Sequence, residues 1–367
     1  MNDGRVLLVG PLAHPAMLAA LGIADALPVP LPGVLIGGGR AGIVVDGWPR
    51  FDPGPGCEIA AVRATRTAAL DRYAAVLGIA PVATPLGAVL GLRPADTEPP
   101  EGDEAPWPVD VMVAIAEEIL TGPARDAPLE AVQVRLPMIG WRAAARLRGA
   151  LRTPRGTEGA GPPADATDPA RVRIGTRAEP YARYFSVEEL RLRHRLHGGG
   201  WSGPIDRAVF VSGDAVVVLP WDPRRDRVLV VDQFRPGPAA RGDANPWLLE
   251  PVAGRIDAGE TPESTAHREA LEEAGLTLRH LVPAPGHYPS PGVIAEYLYS
   301  FVGIADLPDD AARIGGVAGE DEDIRGHLID RAELTRMARA GELANGPLIL
   351  LVLWLDGMAA TLRAAAD

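Results

Sequence analysis

The chain has 367 residues, 47% hydrophobic and 23% charged, the balance of an ordinary globular protein with two or three domains. Its net charge of −12 argues against nucleic acid as a bulk partner. All 36 basic residues are arginine, which excludes P-loop, Schiff-base and pyridoxal-anchoring lysines, and a single cysteine, Cys57, excludes a disulfide framework.

The N-terminus lacks a charged-then-apolar leader pattern, so a cytoplasmic protein is expected. Val6 to Gly10 reads as a strand ending in glycine, and a helix is expected from about Pro15 to Leu21. Pro49 to Pro55 is turn-rich, Ala68 to Tyr73 reads as the end of a helix, and Val109 to Leu120 and Trp141 to Leu147 read as helices. Over about 5–90 this order resembles the gamma-glutamylcyclotransferase-like fold, a small β-barrel-like α+β domain. That family carries a Tyr-Gly-Ser-Leu-Arg loop and a catalytic glutamate after a Leu-Asp-x-Tyr/Phe element. Here the loop reads Val9-Gly10-Pro11-Leu12-Ala13, and Ala74 follows Tyr73. An alanine cannot accept a proton, so the resemblance implies a domain inactive as a cyclotransferase, with a binding or dimer-stabilising role. The stretch 152–180, rich in Gly, Pro, Ala and Asp, reads as a linker. Three segments are therefore expected: 1–151, the linker 152–180, and 181–367.

In the last segment Arg207 to Val211 and Ala215 to Leu219 read as strands of a hairpin across Ser212-Gly213-Asp214. Arg227 to Phe234 reads as a further strand, and Trp247-Leu248-Leu249-Glu250 leads into Pro251-Val252-Ala253-Gly254. Residues 254–276 then fit the pattern G-x5-E-x7-R-E-U-x-E-E-x-G-U, in which U is aliphatic. Its fixed positions are Gly254, Glu260, Arg268, Glu269, Glu272, Glu273 and Gly275. Thr261-Pro262 is a helix start, and Gly275 a helix stop. Glu269, Glu272 and Glu273 share one side of that helix, where like charges repel. A divalent cation with open positions reverses that repulsion. Hard oxygen ligands suit Mg²⁺ or Mn²⁺, and a diphosphate would complete the coordination. Arg268 can hold a glutamate in place.

This pattern is the Nudix box, and about 185–355 resembles the ADP-ribose pyrophosphatase branch of the Nudix family. The resemblance implies an α/β/α sandwich with a mixed sheet. Pro291, in Tyr288-Pro289-Ser290-Pro291-Gly292, lies fifteen residues after Leu276, where that branch carries a marker proline. Glu320-Asp321-Glu322-Asp323-Ile324 resembles the branch's mobile catalytic loop. The resemblance makes Glu320 the candidate general base and Glu322 a metal contact, with the choice between them open. It gives Glu269, Glu273 and the Ala253 carbonyl as metal ligands, with Arg268 and Glu272 supporting the cluster. It gives Arg235 as the substrate-binding arginine, while Glu250 serves either substrate or structure. Arg191 to Arg195 and the following Gly198 to Gly203 are expected near an adenosine site or at a homodimer interface. The implied reaction is Mg²⁺-dependent hydrolysis of ADP-ribose to AMP and ribose 5-phosphate. GDP-mannose or UDP-glucose hydrolysis is the alternative substrate reading, and a nucleotide sensor relaying to the first domain is the alternative class. The fusion is similar to Nudix proteins grouped with tellurite resistance. Leu348 to Leu355, too short a run to span a bilayer, reads as a buried helix.

Overall fold

A computed structural model describes residues 5–54, 57–152, 171–315 and 323–366. The chain forms two compact units that divide at Ser212/Gly213.

The first unit contains β1 (Arg5–Leu8), α1 (Pro15–Ala20), β2 (Leu27–Pro32), β3 (Val34–Ile36), β4 (Arg50–Asp52), β5 (Glu58–Thr65), α2 (Ala68–Val76), β6 (Val82–Thr84) and β7 (Gly87–Leu90). It continues with α3 (Val109–Leu120), α4 (Leu129–Val134), α5 (Leu136–Leu151), β8 (Val172–Ala182), β9 (Ser186–His194) and β10 (Ile205–Val211). Its first sheet runs β2-β5-β1-β7-β6, an open path rather than a closed barrel. Leu7, Val9, Leu31, Ala61, Val89 and Leu92 form a core against it. Ala68 opens α2 rather than closing a helix, because the Thr67 hydroxyl accepts from Leu70 N (3.0 Å) and caps the start. Residues 172–180 belong to β8, so the end of the expected linker is strand: its backbone pairs with β9 from Val172 to Ala182.

A buried ionic cluster ties α3 and α5 to β8 and β9. Arg142, 1% exposed, pairs with Glu118 (2.9 Å), Glu188 (3.1 Å) and Glu179. Arg135 pairs with Glu179 (3.0 Å), Arg146 with Glu188 (2.9 Å) and Arg177 with Glu118 (2.6 Å). Burial alone would raise the Glu118 pKa, but Arg142, Arg146 and Arg177 outweigh it and hold the carboxyl below its ordinary range.

The second unit contains β11 (Ala215–Asp222), β12 (Arg227–Phe234), α6 (Pro236–Arg241), β13 (Trp247–Glu250), β14 (Val252–Arg255), α7 (Pro262–Ala274) and β15 (His280–His287). It continues with β16 (Ile294–Ala295), β17 (Leu298–Ile304), β18 (Ile314–Gly315), β19 (Ile324–Asp330), α8 (Arg331–Ala340) and α9 (Gly346–Ala366). The sheet runs β15-β17-β11-β12-β19-β18, with β13 beside β12 and β14 beside β11. The β11–β17 pair is parallel and the others antiparallel, so the sheet is mixed. The period-2 alternation of β11 and β12 sends side chains to two apolar cores. Val216, Val218, Leu229 and Val231 meet α7 on one face; Val217, Leu219, Val228 and Val230 meet α8 and α9 on the other. This is the α/β/α sandwich.

The expected hairpin at 207–219 does not form. β10 pairs with β9, whereas β11 pairs with β12, β14 and β17. Ser212-Gly213-Asp214 is a passage between sheets, with Gly213 at φ 85°. Helix α9 is longer than its apolar run suggests, and Gly346–Ala364 is apolar enough in length and composition to cross a membrane. Asp356 interrupts the run, yet it is answered by Arg331 (2.7 Å) and Arg339 (2.6 Å). Leu348, Leu351, Val352 and Leu355 of α9 are buried against the sheet, each side chain contributing about 1.5–3 kcal/mol.

Candidate active site

Helix α7 begins where its sequence predicts. The Thr261 hydroxyl accepts from Ser264 N (3.1 Å) and the Ser264 hydroxyl accepts from Thr261 N (3.0 Å), a reciprocal cap, with Pro262 in the first turn. It ends at Gly275 in the left-handed region (φ 60°). Ala266, Ala270 and Ala274 form the face against the sheet core. Three alanines let the helix lie close to β14, which accounts for a small residue at position 270. The same closeness buries the neighbouring carboxylates of Glu269 and Glu273, 8% and 5% exposed.

Strand β14 meets both of them. Ala253 N donates to Glu273 Oε2 (3.0 Å), which sets the Ala253 peptide against that carboxylate. A Cβ at Gly254 would lie 1.9 Å from Glu269 Oε1, so only glycine admits the side chain there. Two more glycines crowd the C-terminal end of α7. A Cβ at Gly275 would meet the Arg313 guanidinium, and one at Gly315 would lie 2.0 Å from the Glu273 carbonyl oxygen.

Arg268 joins the carboxylates. Its Nε donates to Glu260 Oε1 (2.9 Å) and its Nη1 to Glu269 Oε1 (2.7 Å) and Glu272 Oε2 (2.8 Å). Burial would lower the Arg268 pKa, but Glu260, Glu269 and Glu272 outweigh it and push it up. Glu260 is likewise raised by burial and lowered further by Arg268, Thr265 and the Asp257 N–H, with a net downward shift. Arg268 thus ties three carboxylates together at the start and along one side of α7.

Arg235 follows β12, and its Nε (3.0 Å) and Nη2 (2.6 Å) both donate to Glu250 Oε2. Glu250, 6% exposed at its side chain, therefore orients Arg235. Next to this pair Phe234 and Trp247 meet edge to face at 5.5 Å. Pro291 opens an exposed turn in which Ser290 O accepts from Val293 N (3.1 Å) and Ile294 N (2.9 Å). Glu320 and Glu322 lie outside the described residues. The residues bracketing them are paired, Gly315 with Ile324, and Gly315 packs on the end of α7.

Sequence reasoning missed Asp214, 5% exposed, whose Oδ1 accepts from Tyr297 N (3.2 Å) and whose carbonyl accepts from Ile256 N (3.0 Å). It also missed the row Tyr288, Tyr297 and Tyr299, with ring centroids 5.1 and 5.0 Å apart. Tyr299 is in register with Val216, and Val216 with Gly254, so this row shares a sheet face with the box. The alternation of Tyr297 and Tyr299 was the available signal.

Among the described residues no three His, Cys, Asp or Glu side chains gather as a closed metal cage. The donors present are two buried glutamates and an adjacent peptide, all hard oxygens. Magnesium takes one or two carboxylates and fills its remaining positions with water and phosphate oxygens, so this open set fits it.

A family model for the NUDIX domain matches residues 211–349. The ADP-ribose pyrophosphatase of Escherichia coli strain K12 is 39% identical over 185 residues, covering 50% of this chain and 88% of that one. The chain belongs to the Nudix family. Another Nudix relative, the ADP-ribose pyrophosphatase of Haemophilus influenzae, is 36% identical over 178 residues, 48% of this chain and 82% of its own. The GDP-mannose pyrophosphatase of Salmonella arizonae is 32% identical over 149 residues, 41% of this chain and 76% of its own. A solved ADP compounds hydrolase aligns over 51% of this chain and 96% of its own, at 18% identity and a TM-score of 0.40. The chain is a Nudix hydrolase, and the matched residues take in the whole of α7 with both glutamates that β14 contacts.

Proposed function

We propose that this chain hydrolyses the diphosphate bond of ADP-ribose, releasing AMP and ribose 5-phosphate, with Mg²⁺ or Mn²⁺ as cofactor. The observation that carries the reading is the seating of Glu269 and Glu273 side by side on β14, with Arg268 fastened to Glu269. Glu269, Glu273 and the Ala253 peptide would hold the metal. When bound, it supplies charge neutralisation on the diphosphate and activation of the attacking water.

The chain's own residues do the rest. Arg268 holds the cluster in one geometry before substrate arrives, so little reorganisation is needed. Glu250 fixes the fork of Arg235, which binds a phosphate oxygen of the substrate. A glutamate of the 320–322 segment, Glu320 first, takes the proton of the water. The substrate assignment is supported by the two ADP-ribose pyrophosphatases, which share more identity with this chain over more of their length than the GDP-mannose pyrophosphatase does. That third relative favours a GDP-sugar as the second reading. The cyclotransferase-like resemblance of the first unit belongs to the same proposal. Ala74 is buried in α2 and has no acid/base group, consistent with a non-catalytic role.

The test is AMP release from ADP-ribose and Mg²⁺ by the full chain, with Glu273→Gln as control. Release is expected from the wild type, and a loss of about a thousandfold or more in the variant, since a metal-holding carboxylate is removed. Release from GDP-mannose in preference to ADP-ribose would replace the substrate. Equal activity of the variant would overturn the site.

A further inference from the structure

The turn that follows β9 gathers positive charge in one place. Leu196 N donates to Gly200 O (3.2 Å) and Gly199 N to Leu196 O (3.0 Å), with Gly199 and Gly200 at φ 90° and 77°. Ser202 closes the turn: its N donates to His194 O (2.9 Å) and its hydroxyl accepts from His194 N (3.1 Å). The chain thereby returns with Trp201 bridged to Arg195. On the other side of β9, Arg173 of β8 is the register partner of Arg193. Partners in a ladder share a face, as do residues two apart on a strand, so Arg173, Arg193, Arg195 and Trp201 stand together. Their side chains meet there. Arg173 Cζ lies 4.2 Å from the centre of the Trp201 ring, and Arg195 Cζ 4.5 Å from it.

All three arginines are exposed, and none makes an ion pair or a side-chain hydrogen bond among the described residues. Like charges directly opposite in a ladder repel, and a bound anion would remove that repulsion. The chain as a whole is acidic, at −12, so this concentration of positive charge is not its ordinary surface. Cation–π contact with Trp201 holds two of the guanidiniums in place, which lessens the freedom that binding must freeze out. Three exposed guanidiniums suit an oxyanion with several charges close together. A short chain of phosphates has that density. Carboxylates on one side of a peptide strand repeat only about every 7 Å. An indole already occupied by guanidiniums is not free to stack a nucleobase. We propose that Arg173, Arg193 and Arg195, gathered on Trp201, bind an inorganic polyphosphate chain and read its phosphates alone. The site lies in the first unit and is independent of the substrate reading above.

The test uses the full chain dialysed free of divalent metal, so that the carboxylates of α7 recruit no phosphate. Tripolyphosphate is the probe, titrated calorimetrically in about 0.15 M salt, where attraction is screened beyond about 8 Å. A dissociation constant of about 1 mM or tighter is expected. Orthophosphate should bind about tenfold more weakly or worse. Arg173→Gln and Arg193→Gln should each weaken tripolyphosphate about fivefold or more. Trp201→Leu removes no charge, yet should weaken it about threefold or more, because the guanidiniums lose their hold. Trp201→Phe keeps a ring beneath them and should recover most of that loss, which separates the contact from a folding defect. No binding up to about 10 mM, or wild-type affinity in either arginine variant or in Trp201→Leu, would overturn the proposal. So would ATP binding about tenfold more tightly than tripolyphosphate, which would show that a base is read. Tighter binding of hexaglutamate would make an acidic peptide the partner instead, and displacement by equimolar ADP-ribose would assign this face to the substrate.

Discussion

Arg268 holds Glu260, Glu269 and Glu272 at once, and each link has a different consequence. The link to Glu260 stabilises the loop before α7 and makes it acid-sensitive. Glu260 titrates below its ordinary 4.5 in the folded chain, so its contribution is complete above that value. It is lost as pH falls through the lowered folded value, because the unfolded chain takes the proton first. Melting temperature should therefore drop with acidification below about pH 4.5, and Glu260→Gln should show a shallower drop in that window. Thermal melts of both proteins at stepped pH check it; parallel curves would remove Glu260 as the cause. Gly254 controls the second carboxylate by absence. Its backbone has no left-handed φ, so Gly254→Ala adds no backbone strain and places a methyl 1.9 Å from Glu269 Oε1. The glutamate must move, and a misplacement of about 1 Å costs about a hundredfold in rate. ADP-ribose kinetics should show that loss in kcat with a melting temperature within a few degrees of wild type.

At the level of elements, α7 was legible because its ends are written locally. Thr261-Pro262 and Gly275 carry the signals, and the helix runs from Pro262 to Ala274. Its cap is also its weak point: Thr261→Ala removes half of a reciprocal pair and should cost about 1 kcal/mol. Urea unfolding followed by far-UV circular dichroism measures it, and Ser264→Ala in the same background should add little, since the two hydroxyls act together. Strand β12 was legible from its alternation, whereas β13 was not read as a strand. The pairing of β10 was not legible either, because Ser212-Gly213-Asp214 has the composition of a hairpin turn and of a passage between sheets alike. Which one forms depends on β9, β14 and β17, distant in sequence. The Arg235–Glu250 pair was hidden for the same reason, since it is made across the β12–β13 ladder. Of the three carboxylate partners of Arg268, Glu272 at i+4 is read from helical spacing. Glu260 is brought back only by the turn that caps the helix.

For the whole molecule, the boundary expected from composition and the boundary of packing differ. Composition marks 152–180, while the compact units divide at Ser212/Gly213, because β8 and β9 are bound to α3 and α5 by buried charge. Glu179 and Glu188 carry that charge: their side chains are 3% and 4% exposed and pair with Arg142, a contact that composition does not reveal. Buried pairs of this kind are costly to separate, about 3–5 kcal/mol when one partner is removed, and salt screens them poorly. Continuity of the peptide between Arg152 and Arg171 is therefore not what keeps the halves of the first unit together. A protease site engineered into that interval should yield two bands on a denaturing gel and one peak on a sizing column. That peak should survive dilution and high salt, and separate only in denaturant. Expressed as two open reading frames broken there, the protein should assemble from its pieces, a natural place to cut one gene into two.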